Sequence, residues 1–301
     1  MQKRTVAILL TRGLVDGFSG NRSLPNYKAL LEINGLPMVE YVLRSLRGSK
    51  VERIFIVQSV DAKLDRFVTP DRKNHFLYYH GPEECYAESL FCGLEAVLNY
   101  YGEEVCKSLN LMLVPCDIPL ATENNFNSLI ELSRRQSSDV WTALIDACAL
   151  KNKYPDRDFI GLYFCDLKNR YVAQNIKFIN GSLLSSSPDV TKPDYLQVMW
   201  PEFRVDISKS LDKLCRQRRR KTFIFDIIVE IIQRLVLRGH WLGLLRECFK
   251  MQTGRQTTAD MARILFQATG LNCGYILSQE VELSYDIDEP GHLITAANLL
   301  K

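Results

Sequence analysis

Thr5–Leu46 reads TVAILLTRGLVDGFSGNRSLPNYKALLEINGLPMVEYVLRSL, and its order of elements decides the fold. Val6 to Leu10 is a short apolar run ending in a polar, glycine-containing segment. That pattern predicts a buried strand. Gly13, Gly17 and Gly20 follow, with Arg22 and Lys28 among them. Ala29 to Gly35 is a short hairpin-like piece. Pro37 then opens an amphipathic run, Met38, Val39, Tyr41, Val42, Leu43 and Leu46, and proline at a first helical position marks a helix start.

A glycine-rich loop lets backbone N–H groups approach an anion closely. Arg22 and Lys28 add fixed positive charge for phosphate oxygens, and Lys28 is expected to face solvent and phosphate. The alternative is a surface loop with two solvated cations. Neither G-x-x-x-x-G-K-[ST] nor G-x-G-x-x-G is present.

Further along, apolar runs at 53–57, 76–79, 109–114 and 140–145 predict strands. Helical spacing at 84–100 and 124–135, with a short helix at 61–67, alternates with them. Such alternation argues for an α/β fold, a mostly parallel Rossmann-like sheet covered on both faces. Ligands of such sheets bind beyond the carboxyl ends of strands, where the glycine loop and Asp117 fall. Residues 151–203 are irregular, with strand candidates at 159–165 and 175–178. Residues 207–270 read as successive helices, 223–238, 241–249 and 258–269. We read them as a helical insert within a single domain spanning 1–301. The apolar surface of 223–249 leaves two roles open, a cover on the acceptor side of the site or a homodimer interface.

Composition narrows the classes. At 301 residues the chain can bury a large core, and 47% apolar with 24% charged residues is ordinary for a globular protein. A net charge of +3 is too small to imply nucleic acid, and the one dense charge run, Arg216 to Lys221, lacks interleaved aromatics. No 18-residue uncharged stretch exists, so no membrane span is expected. The apolar run after Met1 is too short for a signal peptide, which leads to the expectation of a cytoplasmic protein. The nine cysteines are odd in number and form no C-x-x-C, which favours reduced, buried thiols. The four histidines lack metal-ligand spacing.

With these residues in view, the chain resembles the NTP transferase superfamily, which includes molybdenum cofactor guanylyltransferase-like proteins and sugar-phosphate nucleotidyltransferases. Its members begin with a strand, L-A-G-G, a G-x-x-x-R loop and P-K-x-L-x-x-x-x-G-x-P-[ML]-[IV]-x-[YH]-[VT]-L. Here stand Leu10-Thr11-Arg12-Gly13, Gly17, Arg22, Lys28-Ala29-Leu30-Leu31 and Gly35-Leu36-Pro37-Met38-Val39-Glu40-Tyr41-Val42-Leu43. Thr11-Arg12 replace the usual Ala-Gly, and the loop is longer. Val114-Pro115-Cys116-Asp117-Ile118-Pro119-Leu120 is similar to the G-D-M-P-L motif, whose Asp binds metal. Asp286-Ile287-Asp288-Glu289-Pro290 is similar to the late D-[IV]-D-T-P-E-D-L motif, in which the second Asp is the usual metal partner. Gly81 and Glu88-Ser89-Leu90, with Gly93-Leu94, resemble the segment that contacts base and ribose.

The resemblance implies a Mg²⁺-dependent nucleotidyltransferase that joins NMP from an NTP to a phosphorylated small molecule, a sugar phosphate or cofactor precursor, with release of pyrophosphate. It assigns Lys28, Arg22 and Asp117 to catalysis and Leu10, Thr11, Gly13, Gly81 and Ser89 to the nucleotide. Asp117 and Asp288 would hold the metal, with Asp286 as the substitute if the late motif is shifted in register. Two other readings stay open. A nucleotide-binding regulatory protein without turnover is favoured by Thr11-Arg12 and the long loop. A glycosyltransferase-like protein is disfavoured because D-x-D appears only near the carboxyl terminus. Read alone, Asp-Ile-Asp before a helix could simply be a turn with capping carboxylates.

Overall fold

The apolar run at the start of the chain becomes the middle of the sheet. The computed structural model describes residues 3–11, 27–79, 86–155, 157, 159, 161–184, 250, 253–269 and 272–301. Strand β1 (Arg4–Leu10) lies between β4 (Ile54–Ser59) and β6 (Leu109–Pro115), parallel to both. Beyond β4 lies β5 (Asn74–Tyr79), also parallel. On the other side β9 (Asn169–Asn180) runs antiparallel between β6 and β7 (Val140–Asp146), and β10 (Cys273–Leu277) closes that edge parallel to β7. The order is β10-β7-β9-β6-β1-β4-β5, with β8 (Leu162–Phe164) paired to β9.

Strand alternation sends neighbouring residues of β1 to opposite faces. Ala7 and Leu9 join Ile54, Ile56, Met112 and Val114 under helices α1 (Met38–Gly48) and α4 (Glu123–Ser133). Val6, Ile8 and Leu10 join Phe55, Val57 and Leu111 under α2 (Tyr86–Tyr101), which the short α3 (Glu103–Cys106) follows. Both faces are covered, and β1 is buried along all but its first residue. This is the doubly covered sheet expected from the alternating pattern. Gly93 shows how closely α2 sits: a Cβ there would meet Ile8 Cγ2 at 2.5 Å and Val57 Cγ2 at 3.2 Å.

The hairpin-like piece is a 3-10 turn, Lys28–Leu30, followed by β2 (Glu32–Ile33) and β3 (Leu36–Pro37). Asn34 and Gly35 both have positive φ, 49° and 81°, the two-residue turn that matches the right-handed twist of its strands. The helix starts where expected, but Pro37 stands at the N-cap of α1, one residue before the first helical position.

Several details differ from the sequence reading. Residues 61–67 hold only a 3-10 turn, Leu64–Arg66. Helix α5 (Ala147–Lys153), capped by the Asp146 carboxylate on the N–H groups of Cys148 and Ala149, runs into the stretch read as irregular, which also holds a twelve-residue β9 rather than a four-residue strand. Only the second half of β9 alternates buried and half-buried residues, so only that half carries a strand signal. β10 was not foreseen: an edge strand opening with Cys-Gly lacks period-two contrast. Of the predicted helices, 223–238 and 241–249 lie outside the described residues, as does Arg216 to Lys221; the third is α6 (Thr258–Thr269). The six described cysteines are all free thiols, but only Cys106 and Cys116 are buried, and Cys148 is exposed. Among the described residues no helix is long and apolar enough to cross a membrane.

Candidate active site

The site forms where β6 ends and the carboxyl-terminal segment returns to the sheet. Cys116 N–H donates to the Leu10 carbonyl (3.2 Å), which extends the β1–β6 pairing one residue past Pro115. Asp117 is next, and Pro119 prevents continuation of the strand. The late acidic motif is stitched to this point directly: Ile287 N–H donates to the Asp117 carbonyl at 2.9 Å. Tyr285 and Ile287 are buried, 2% and 0% exposed, in a third core cluster with Leu31, Ile33, Met38 and Leu120. In an extended segment alternate side chains share a side. Anchoring 285 and 287 in the core therefore turns Asp286 and Asp288 together toward Asp117.

Carboxylate oxygens of Asp117, Asp286 and Asp288 all lie within 4.8 Å of one another. Two cations compensate them. Lys28 Nζ donates to Asp288 Oδ1 at 2.8 Å and stands 3.4 Å from Asp117 Oδ2. Arg157 Nη1 donates to the Asp286 carbonyl at 2.6 Å, its Nη2 pairs with Asp286 Oδ1, and Asp288 Oδ2 is 3.8 Å away. The capping alternative is not what the late motif adopts. Helix α7 (Pro290–Leu299) has Glu289 at its N-cap with no side-chain cap bond. The Asp288 N–H instead donates to His292 Nδ1 at 3.2 Å.

The electrostatics follow from this crowding. Burial, then the charges of Asp288 and Asp117, push Asp286 up to about 7, against the downward pull of Arg157. Three converging acids with two cations hold an excess of negative charge suited to a cation. The neighbouring Cys116 is no nucleophile: burial, then the Asp117 charge, drives its thiol far above the usual range. Burial, then Arg157, lowers His292, so it stays neutral and accepts from Asp288.

The predicted residues divide into three groups. Lys28, Asp117, Asp286 and Asp288 are brought together. Lys28 does not face solvent as expected; it is 8% exposed, because the converging carboxylates draw its ammonium inward while buried Ala29 and Leu31 pin the turn. Leu10 lies at the end of β1 with its side chain in the core and its carbonyl at Cys116. Thr11 is buried beside it, and both its N–H and its hydroxyl donate to the Val57 carbonyl, at 3.2 and 2.8 Å. That pairing locks the strand end, which accounts structurally for threonine at this position. Ser89 is buried in the first turn of α2. Arg22, Gly13 and Gly81 lie outside the described residues. Arg157 was not foreseen. It falls among other cations, Lys151 and Lys153, in a stretch without periodicity, and its only sequence mark is the flanking Tyr154 and Phe159.

No curated protein matches the chain. Many solved structures share the fold, two of them as follows. A protein described as a hypothetical transferase from Thermus thermophilus is 17% identical with a TM-score of 0.63, covering 96% of this chain and 99% of that one. A 4-diphosphocytidyl-2C-methyl-D-erythritol synthase from Anaerococcus prevotii is 13% identical with a TM-score of 0.50, covering 99% and 98%. The family described as MobA-like NTP transferase domain matches residues 20–260, and the chain belongs to that family.

Proposed function

We propose that this protein transfers a nucleotidyl group from an NTP to a phosphorylated small-molecule acceptor and releases pyrophosphate. The observation that carries the reading is the convergence of Asp117, Asp286 and Asp288 around Lys28 at the carboxyl ends of β1 and β6. Ligands bind at that end of such sheets.

The reaction asks little covalent chemistry of the protein. An acceptor phosphate oxygen forms a bond to the α-phosphorus as the bond to the β-phosphate oxygen breaks. The protein must hold the triphosphate, neutralise charge and align the attacking oxygen. The donor set fits Mg²⁺, a hard cation that takes one or two carboxylates and fills its other positions with phosphates and water. Oxygens on one such ion at about 2.1 Å can lie up to about 4.2 Å apart, so carboxylates within 4.8 Å need only small side-chain shifts. Asp117 and Asp288 would hold Mg²⁺, which when bound neutralises phosphate charge. Lys28 then exchanges its carboxylate partners for a phosphate oxygen, and Arg22 of the glycine loop adds a second cation. Leu10 and Thr11 end the strand on which the nucleotide rests, with Gly13, Gly81 and Ser89 assigned to nucleotide contact from sequence.

A thermal-shift panel of the four NTPs, each with and without Mg²⁺, tests this. Stabilisation grows with ligand over its Kd, about 2.7 kcal/mol at a hundredfold excess. At least one NTP should stabilise the wild type with Mg²⁺, and Asp117→Asn should lose that gain. Failure of all four NTPs would overturn the reading. Pyrophosphate release across sugar and cofactor phosphates then separates turnover from nucleotide binding alone.

A further inference from the structure

The three acids are not equivalent. Lys28 touches Asp117 and Asp288, whereas Arg157 grips Asp286 at two points, its backbone carbonyl and its carboxylate. Asp286 is 8% exposed as a residue, and the Asp286 and Asp288 side chains are 11% and 29% exposed. The guanidinium is itself fixed. It stacks 5.0 Å from the Tyr285 ring centroid and 5.2 Å from that of Phe159, and its side chain is 12% exposed. Tyr285 packs in turn on Tyr154, with ring centroids 4.5 Å apart. The residue before Asp286 and the clamp that holds Asp286 therefore share one aromatic stack. A planar, permanently charged fork suits such a two-point grip, and a lysine could not make it.

We propose that Arg157 and Asp286 form a buried clamp that positions the late acidic motif, so that Asp288, and not Asp286, is offered with Asp117 to the metal. Arg157 is thus a positioning residue acting through Asp286. The inference rests on the metal-dependent reading above. Outer partners of metal-binding carboxylates are worth roughly 10–100-fold in metal affinity. Cutting the clamp from either side should have a similar effect, because the carboxylate–guanidinium pair is lost both ways; the bond to the Asp286 backbone carbonyl and the 3.8 Å approach of Arg157 to Asp288 remain only where Arg157 is kept.

The test is a Mn²⁺ titration followed by electron paramagnetic resonance, without nucleotide, on the wild-type chain and on Arg157→Gln, Asp286→Asn and the double variant. Circular dichroism confirms folding, and Arg157→Lys serves if Arg157→Gln does not fold. Each single change should weaken Mn²⁺ roughly tenfold, and the double variant should be no weaker than either single one. Three results overturn the clamp. A far larger loss in Asp286→Asn than in Arg157→Gln makes Asp286 a ligand. A lower melting temperature with unchanged Mn²⁺ affinity makes the pair merely structural. Tightening in Arg157→Gln with weakening in Asp286→Asn reduces both to a field effect. Asp117→Asn and Asp288→Asn run alongside: wild-type Mn²⁺ affinity in both would remove the metal site and the clamp with it, an outcome distinct from the other three.

Discussion

Replacing Lys28 by methionine should tighten metal binding in the nucleotide-free protein, although it removes a group assigned to catalysis. The Lys28 ammonium lies 2.8 Å from Asp288 Oδ1 and 3.4 Å from Asp117 Oδ2, between the two carboxylates proposed to hold the metal. A cation entering there must displace it. At an effective dielectric near 20 the two attractions are each gross terms of roughly 5–6 kcal/mol. Desolvation of a side chain only 10% exposed offsets most of that. The surplus is that of a hydrogen bond to a charged group, about 2 kcal/mol.

The same ~2 kcal/mol should be read twice, because Lys28 stabilises the metal-free cage but not the metal-bound one. In EDTA the Lys28→Met protein should lose it as stability, a fall of roughly 3 °C in melting temperature for a chain of about 300 residues. In a Mn²⁺ titration it should reappear as roughly 30-fold tighter binding. Saturating Mg²⁺ should bring the two melting temperatures together. Scanning fluorimetry gives the first number and spin resonance of free Mn²⁺ the second. Unchanged or weaker Mn²⁺ binding in folded Lys28→Met would refute the competition between ammonium and metal.

The other expectations are briefer. With Mg²⁺ present, Lys28→Ala should bind the cognate NTP about tenfold more weakly, the value of one charge-assisted contact; equal affinity by calorimetry would remove Lys28 from the phosphate. Asp117→Asn relieves repulsion in the empty cage, so its melting temperature should equal or exceed wild type while pyrophosphate release falls at least a hundredfold; a clear drop in stability would show the carboxylates to be net stabilising. Gly93→Ala forces a Cβ onto Ile8 and Val57 and should cost roughly 1–3 kcal/mol in a urea titration, and a neutral result would mean that α2 moves off β1 freely. Glu40 is buried; burial opposes its charge, but the Thr69 hydroxyl and Arg47 outweigh it and hold it below its ordinary value of 4.5. Its contribution is complete above that pH and is lost as pH falls through the lower folded value, so Glu40→Gln should weaken the protein at pH 7 and differ progressively less in acid; a gap that widens in acid would contradict the assignment.

What was legible in the sequence was whatever repeats or sits at a fixed offset. β1 and β6 announce themselves as short apolar runs, α1 as a proline followed by amphipathic spacing, and Asp117 as the acid just past a strand end. The convergence of Asp286 and Asp288 on Asp117 needed the resemblance, since about 170 residues separate them and spacing cannot show a contact of that range. The inward turn of Lys28 was not legible, because it depends on where three distant acids place their charge. β10 and the first half of β9 were missed because pairing with neighbouring strands, β7 for β10 and both β7 and β8 for β9, rather than their own side-chain contrast holds them in the sheet. Arg157 was missed for a related reason. Its partners lie 129 residues away, and its local sequence offers only two flanking aromatics.

The two cations of the cage differ in the way that its task requires. Arg157 is planar, stacked between Phe159 and Tyr285, and fastened to a backbone carbonyl that does not move independently of the core. Lys28 stands at the start of a three-residue 3-10 turn and meets its acids through a long single-atom donor. A stacked fork loses two bonds and two aromatic contacts if it leaves, whereas an ammonium can exchange one oxygen for another along a flexible stem. One cation is therefore suited to hold geometry and the other to be handed over. The charges agree with this division. Three acids against two cations leave room for more positive charge, and a triphosphate arriving with its metal supplies oxygens to receive the displaced lysine. On this reasoning exchanging the two residue types should fail at both positions. Lys28→Arg would fill the cage with a fork that competes with metal and does not yield, and Arg157→Lys would leave the Asp286 carbonyl without its donor. Mn²⁺ binding in the absence of nucleotide should weaken in both, and wild-type affinity in Lys28→Arg would show that the metal does not enter where the ammonium stands.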